Sequence, residues 1–566
     1  MKPNLDLVFL WHMHQPDYRD YATGDFLLPW VYLHATKDYS DMAWHLEQHP
    51  QMHAVVNFVP VLLDQIEDYA DQFATGKLRD PLLRMLGREN LDCVGEADRE
   101  FVLDSCFRSN HTKMIAPFPA YKRLYDLFQL MEPQGGVSLT YLSGQYLADL
   151  LVWYHLVWCG ESVRREHPLV VRLLAKGEGY SAQERQALLA LIGEVVSGIV
   201  PRYRRLAESG QIEISATPHY HPLAPLLIDL HSARESEPES SLPQSQVYPG
   251  GRKRVARHLS MARESHQARF GVYPNGIWPA EGAVSTPLIG LLGEQDCHWA
   301  ASGQGVLVNS LRAAGMASDE AMDYLYRPYR IEGQAGEVNC FFRDDRLSDM
   351  IGFEYSNWHG SDAASHFVAQ LEGIAHRAAP GQRPVVSVIL DGENAWEYYP
   401  YNGYYFLHEL YDKLQAHPGI RPTTYRDYLA AHRNDLQVEE LPGLVAGSWV
   451  YGTFSTWIGA PDKNRAWDLL CMAKQSYDMV MASGRLSADE RQVAERQLCS
   501  CESSDWFWWF GDYNPSHAVE SFDRLYRHNL TELYRLLKLP IPANLSVPLS
   551  HGGGKAEAGG TMRRGS

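Results

Sequence analysis

Val386–Tyr399 reads VSVILDGENAWEYY, and this stretch decides the fold. Its first half (Val386, Val388, Ile389, Leu390) is apolar and β-branched, the pattern of a strand buried on both faces. Its second half crowds polar and acidic groups, Asp391, Glu393, Asn394 and Glu397, just past the strand end. Parallel α/β barrels carry their chemistry at that position, on the loops that follow the strands.

Working outward, Leu7 to Leu10 and Ala54 to Phe58 read as further buried strands. Gln211 to Ser215 and the short Gly276-Ile277 segment do the same, and each runs into acids or histidines. About residues 64–205 the pattern turns helical, which predicts a helical insertion between barrel strands. Within it Ser181 and Glu184 form a capping box ahead of an apolar run. Residues 231–251, rich in Ser, Pro and Glu, read as a loop. Beyond about Pro422 the periodicity is helical again: Arg465 to Met481 is one candidate, and Phe522, Leu525, Tyr526, Leu530, Leu533 and Leu537 step by three and four. The expected layout is therefore α/β, with a barrel over 1–421, an α-helical domain over 422–545 and a Gly-rich flexible tail over 546–566.

The chain of 566 residues is acidic, 69 Asp and Glu against 51 Lys and Arg, for a formal charge of -18. That balance argues against a nucleic-acid backbone or an anionic membrane as partner. The 15 Trp and 32 Tyr exceed what a core needs and suit platforms that stack on sugar rings. No run approaches the roughly 18 apolar residues of a membrane span, and the amino-terminal segment does not read as a secretion signal. Eight scattered Cys without a CxxC pair fit reduced thiols, so a cytoplasmic location is expected. The oligomeric state is left open.

Four motifs follow the strands: Trp11-His-Met-His-Gln-Pro16, Gln211-Ile-Glu213 with Thr217-Pro-His-Tyr-His221, Trp278-Pro-Ala-Glu281, and Asp391-Gly-Glu393. Two chemistries fit such a set. Paired carboxylates can cleave a glycosidic bond with no cofactor, one attacking the sugar and one moving the proton. Alternatively His12, His14 and a distant acid can hold a divalent metal that activates water. In a further aromatic cluster, Asp505-Trp-Phe-Trp-Trp-Phe-Gly511, five consecutive rings cannot all face one core. Trp449 and Trp457 bracket a similar segment.

In chain order HQP, GQIE, WPAE, RDDRLSDMIGFEYS (Arg343 to Ser356), LDGENAWE, STWIGAPDKNRAWDLL (Ser455 to Leu470) and ESSDWFWWFGD (Glu502 to Asp512) resemble glycoside hydrolase family 57, most closely its α-amylase and amylopullulanase-like branch. The resemblance implies an incomplete (β/α)7 barrel with a helical bundle closing over the site. It implies a retaining reaction on α-1,4-glucans such as maltodextrin, glycogen or starch, with α-1,6 branches left open and no metal at the reacting centre. By motif position Glu281 is the nucleophile and Asp391 the general acid/base, the latter kept protonated by an ionised Glu281. His12, His14, Glu213, His221, Trp278, Trp396, Trp449, Trp457, Asp505 and Trp506 are the substrate-binding set. Three alternatives remain: a 4-α-glucanotransferase or branching enzyme, a metal-dependent polysaccharide deacetylase, and a non-catalytic glycan-binding protein.

Overall fold

The computed structural model describes residues 4–131, 139, 141–316, 322–334, 336–379, 381–434 and 436–553. Ten strands form one sheet: β1 (Leu5–Met13), β2 (Ala54–Phe58), β3 (Ile212–Ala216), β4 (Gly276–Ile277), β5 (Trp299–Gly303), β6 (Tyr329–Ile331), β7 (Asn339–Arg343), β8 (Val385–Asp391), β9 (Ile420–Pro422) and β10 (Glu439–Leu441). Seven of them, β1, β2, β3, β4, β5, β7 and β8, run parallel in that order, and β7 meets β8 again to close a seven-stranded barrel. The closing seam is thin. One residue pair, Arg343 with Ser387, carries it, reinforced by the Arg343 guanidinium donating to Ile389 O at 2.8 Å.

The expected strands are all present, and β8 covers the first half of the Val386–Tyr399 stretch, ending at Asp391. Two barrel strands escaped that reading. WAASG (β5) contains small and polar residues, and NCFFR (β7) is short and begins and ends in polar groups, so neither shows an apolar run. Glycine matters at β4: a Cβ on Gly276 would lie 1.9 Å from the Trp299 ring, so only glycine lets these strands pair.

Strand alternation sorts the side chains. Leu7, Phe9, Trp11 and Met13 of β1 pack outward in the layer shared with the helices. Val8, Leu10, Val55, Trp299, Phe341 and Ile389 point inward and fill the barrel with Tyr425 and Tyr428. The two tyrosines come from the helix Tyr425–Ala431, which plugs the floor; Tyr425 lies 4.4 Å from Phe341 and 4.5 Å from Trp299, ring to ring. Burying such a side chain contributes about 1.5–3 kcal/mol.

Among the described residues, eight α-helices stand between β2 and β3, from Pro60–Thr75 to Ala182–Glu208, and the capping box at Ser181 and Glu184 forms as read. Residues 231–251 are only partly loop, since Ala233–Ser236 makes a short helical turn and Gly251 opens the helix Gly251–Phe270. Past the floor helix come Pro461–Ser483, Ala488–Cys501, Asp505–Trp509 and Ser516–Leu536. Among the described residues no helix is long and apolar enough to cross a membrane, and all eight cysteines are free. Of the stretch expected to be a flexible tail, Leu549 and Ser550 are buried, with Leu549 N donating to Asp523, whereas 554–566 lies outside the described residues.

A buried ion pair docks the helical region on the barrel. Glu502, fully buried, accepts from Arg254 at 2.8 Å through two nitrogens and from His258 at 2.8 Å, both on the helix that follows β3. Opposite charge and hydrogen bonds outweigh its burial and hold its carboxyl well below the usual range.

Candidate active site

The mouth of the barrel opens into a cavity of about 940 Å³. Register places the polar groups that line its base. His12 of β1 sits beside Asp391 of β8 and Asn57 of β2, and Asn57 beside Ser215 of β3. Because neighbours in register face the same side, the strand ends form a polar ring inside the barrel, one layer above the apolar filling. His12 Nδ1 and Asn57 Oδ1 are 2.7 Å apart, and Asn57 Nδ2 donates to Ser215 at 2.9 Å.

Two backbone positions at the mouth are strained. His221 and Glu281 have φ of 58° and 60°, a left-handed conformation that non-glycine residues adopt at a cost of about 1–3 kcal/mol. Hydrogen bonds from two other segments hold them there: Ser504 N donates to His221 O at 2.9 Å, and Trp449 N to Glu281 O at 3.0 Å. The strained turns aim both side chains at the cavity.

Glu281 receives Trp449 Nε1 at 3.2 Å and Ser504 Oγ at 3.3 Å. Asp391 receives Asn394 Nδ2 at 2.9 Å. Among the described residues neither carboxyl forms a salt bridge with Lys or Arg. His14 stacks on His221 with ring centres 3.8 Å apart, and its Nε2 lies 2.9 Å from both Asp505 oxygens. Burial and neighbouring imidazoles push His12 down to about 3 and His221 well below its ordinary value, so both are neutral.

Burial, then the charges of Asp505 and Asp391, push Glu281 up to about 8. Burial pushes Asp391 up to about 6, opposed by the Asn394 bond and the charges of His14 and Arg343. This corrects the expectation that an ionised Glu281 keeps Asp391 protonated. Glu281 is raised further than Asp391, with the charges of two other carboxylates facing it, whereas the charge of Glu281 is not among the causes that act on Asp391. The pair titrates as a unit and holds one proton between about pH 6 and 8.

Of the residues named from sequence, His12, His14, His221, Glu281, Asp391, Trp449 and Asp505 line this cavity. Five others do not. Glu213 lies at the barrel floor, where it accepts Trp299 Nε1 at 2.8 Å and Arg426 N, in the first turn of the floor helix, at 2.9 Å. Trp278, Trp396, Trp457 and Trp506 are core side chains, each at most 1% exposed. Trp278 stands behind Trp449, ring centres 5.3 Å apart, and a Cβ on Gly282 would meet its ring at 2.7 Å. Trp396 and Trp506 donate to nearby carbonyls, Gly392 O and Ser500 O. The aromatic wall comes instead from Trp30 and Trp158 on one side and Trp508, Trp509 and Phe522 on the other.

Three contributors lie outside the site set read from sequence, although Glu393 is expected there in a supporting role. Ser504 bridges His221 and Glu281. Arg343 ion-pairs with Asp345 and Asp349 and lies over the Trp449 ring. Glu393 accepts from His14 N and Gln15 Nε2, fixing the first histidine loop. All three sit inside quoted motifs, which was the available signal. His14, His221 and Asp505 also offer ligand atoms within 4.8 Å of one another, a set that suits sugar hydroxyls or a divalent metal.

The family model for glycosyl hydrolase family 57 matches residues 8–440. No curated protein matches in sequence. Among solved structures, a family 57 branching enzyme from Thermococcus kodakaraensis superposes with TM-score 0.57 at 16% identity, covering 94% of this chain and 90% of its own. The α-amylase AmyC from Thermotoga maritima gives 0.56 at 14%, covering 95% and 93%. A branching enzyme from Pyrococcus horikoshii gives 0.55 at 15%, covering 98% of each chain. At such identities the likeness concerns the fold, whereas the family match spans most of the chain: this protein belongs to glycosyl hydrolase family 57.

Proposed function

We propose that this protein is a retaining glycoside hydrolase acting on α-1,4-glucans. The observation that carries it is the pairing of Glu281 and Asp391, two largely enclosed carboxyls, without a Lys or Arg salt bridge among the described residues, that face one sugar-sized, aromatic-walled cavity. Substrate entry brings the proton to Asp391, and Glu281, its anion supported by Trp449 and Ser504, attacks the anomeric carbon while Asp391 protonates the departing oxygen. Asp391 then takes a proton from water, which releases the sugar with its anomeric configuration retained. Neutral His12 and His221 and the His14–Asp505 pair hold ring hydroxyls at the attacked sugar.

The same glycosyl-enzyme intermediate can pass to a sugar hydroxyl, and the branching enzymes among the structural neighbours favour keeping transfer as the second reading. Maltoheptaose separates the outcomes. Rising reducing ends with α-configured products mean hydrolysis. Redistributed chain lengths at constant reducing ends mean transfer. An unchanged substrate overturns both. Full activity after chelation removes the metal-assisted alternative that His14, His221 and Asp505 leave open.

A further inference from the structure

A second histidine cluster lies far from the mouth, between the helices that flank β1 and β8. His45 and His49 occupy one face at the end of the helix Ser40–Gln48, four positions apart. His408 and Asp412 are spaced the same way on the helix Tyr404–Gln415. One ligand atom from each of the three histidines lies within 4.8 Å of the others. Asp412 borders them, Oδ1 3.4 Å from His49 Nε2 and Oδ2 3.6 Å from His408 Nε2.

The chemistry of the donors is unusual for a core. His45 is fully buried, yet neither of its ring nitrogens has a hydrogen-bond partner, and His408 Nδ1 lacks one too. A buried polar atom without a partner opposes folding unless something else fills its coordination. His49 Nδ1 lies 2.6 Å from His45 O, and only an N–H can face a carbonyl. That bond puts the lone pair on Nε2, the nitrogen turned toward Asp412. A backbone carbonyl fixing the tautomer from behind is the usual support of a ligating histidine.

We propose that His45, His49 and His408, with Asp412 as the fourth donor, form a structural site for a divalent transition metal of the zinc class. Three imidazoles and a carboxylate make a closed tetrahedral set, and soft nitrogen donors exclude calcium and magnesium. Nitrogens bound at 2.0–2.1 Å stand about 3.3 Å apart, so small rotamer changes close the ring of donors. The metal clamps the helix leading away from β1 to the helix that follows β8, the two strands that carry His12 and Asp391. It would act on stability and not on the reacting centre.

The test is metal titration of chelator-treated full-length protein with Zn²⁺ or Co²⁺ alone. The expected result is one metal per chain, the visible absorption of tetrahedral cobalt and a raised unfolding temperature. His408→Gln, at a half-exposed position that keeps the fold, should weaken binding by at least ~100-fold and abolish the temperature shift, as should Asp412→Asn more mildly. His14→Gln, which breaks the other histidine cluster, should leave both intact. Absence of stoichiometric binding, or binding that survives His408→Gln and disappears in His14→Gln, overturns the proposal.

Discussion

The two ends of the barrel each hold a glutamate, Glu213 fully buried and Glu281 at the edge of a cavity, and they treat it in opposite ways. At the floor, each Glu213 oxygen has its own donor, Trp299 and the backbone of Arg426, so the carboxyl closes the barrel and is shut away from solvent. At the mouth, Glu281 has longer donor contacts at 3.2 and 3.3 Å, no Lys or Arg salt bridge among the described residues, and the charges of Asp505 and Asp391 facing it across a cavity. Enclosure alone therefore does not single out a candidate catalytic carboxyl. What marks it is burial combined with like charge, open space and strained backbone.

That contrast is broken most severely at Glu281. Glu281→Gln should lower kcat by on the order of 10⁴-fold or more, with glucan binding retained, read by turnover alongside calorimetry. Asp391→Asn should cost about 10²–10⁴-fold. The loss should shrink on a glucoside whose leaving group needs no proton, and equal losses on both substrates would remove Asp391 from the proton-transfer role.

A smaller effect follows from the shared proton. The active form needs one proton on the pair, so kcat/KM should be bell-shaped with limbs near pH 6 and 8. Below the lower limb both carboxyls are protonated and no nucleophile remains; above the upper limb both are ionised and no acid remains. A flat profile across that window would break the assignment. The smallest effect belongs to the floor. Glu213→Gln turns an amide N–H toward a donor, leaving one buried N–H unpaired, and should cost about 1–3 kcal/mol of stability in denaturant titration. Its kcat should stay near that of the native protein, and a large fall would return Glu213 to the substrate-binding set.

The contrast also explains how far the sequence could be read. β1, β2 and β8 announce themselves because strands buried on both faces need apolar runs, β3 does so through its Ile212–Ile214 alternation, and the acids beyond β4 and β8 stand out against them. Glu213 carries the same letter in a similar setting, yet strand polarity puts it at the opposite end of the barrel from Glu281. Its register against β2, where it pairs with Val55 two residues before the Asn57–Ser215 level, is a three-dimensional fact. The tryptophans show the same limit. Trp278 and Trp396 sit in or beside short 3-10 turns, where no periodicity says which way a ring points. Trp506 and Trp508 differ by two positions, and only the packing of Asp505–Trp509 sends one into the core and the other to the cavity.

The bond between His14 and Asp505 joins residues 491 positions apart. During synthesis the first histidine loop is made early and must wait for nearly all of the remaining chain before its partner exists. Loops of that span close slowly, since chain entropy is lost before any contact rewards it. The last barrel strand, β8, ends at Asp391, well before Asp505, so the candidate site is complete only once the helical region has docked.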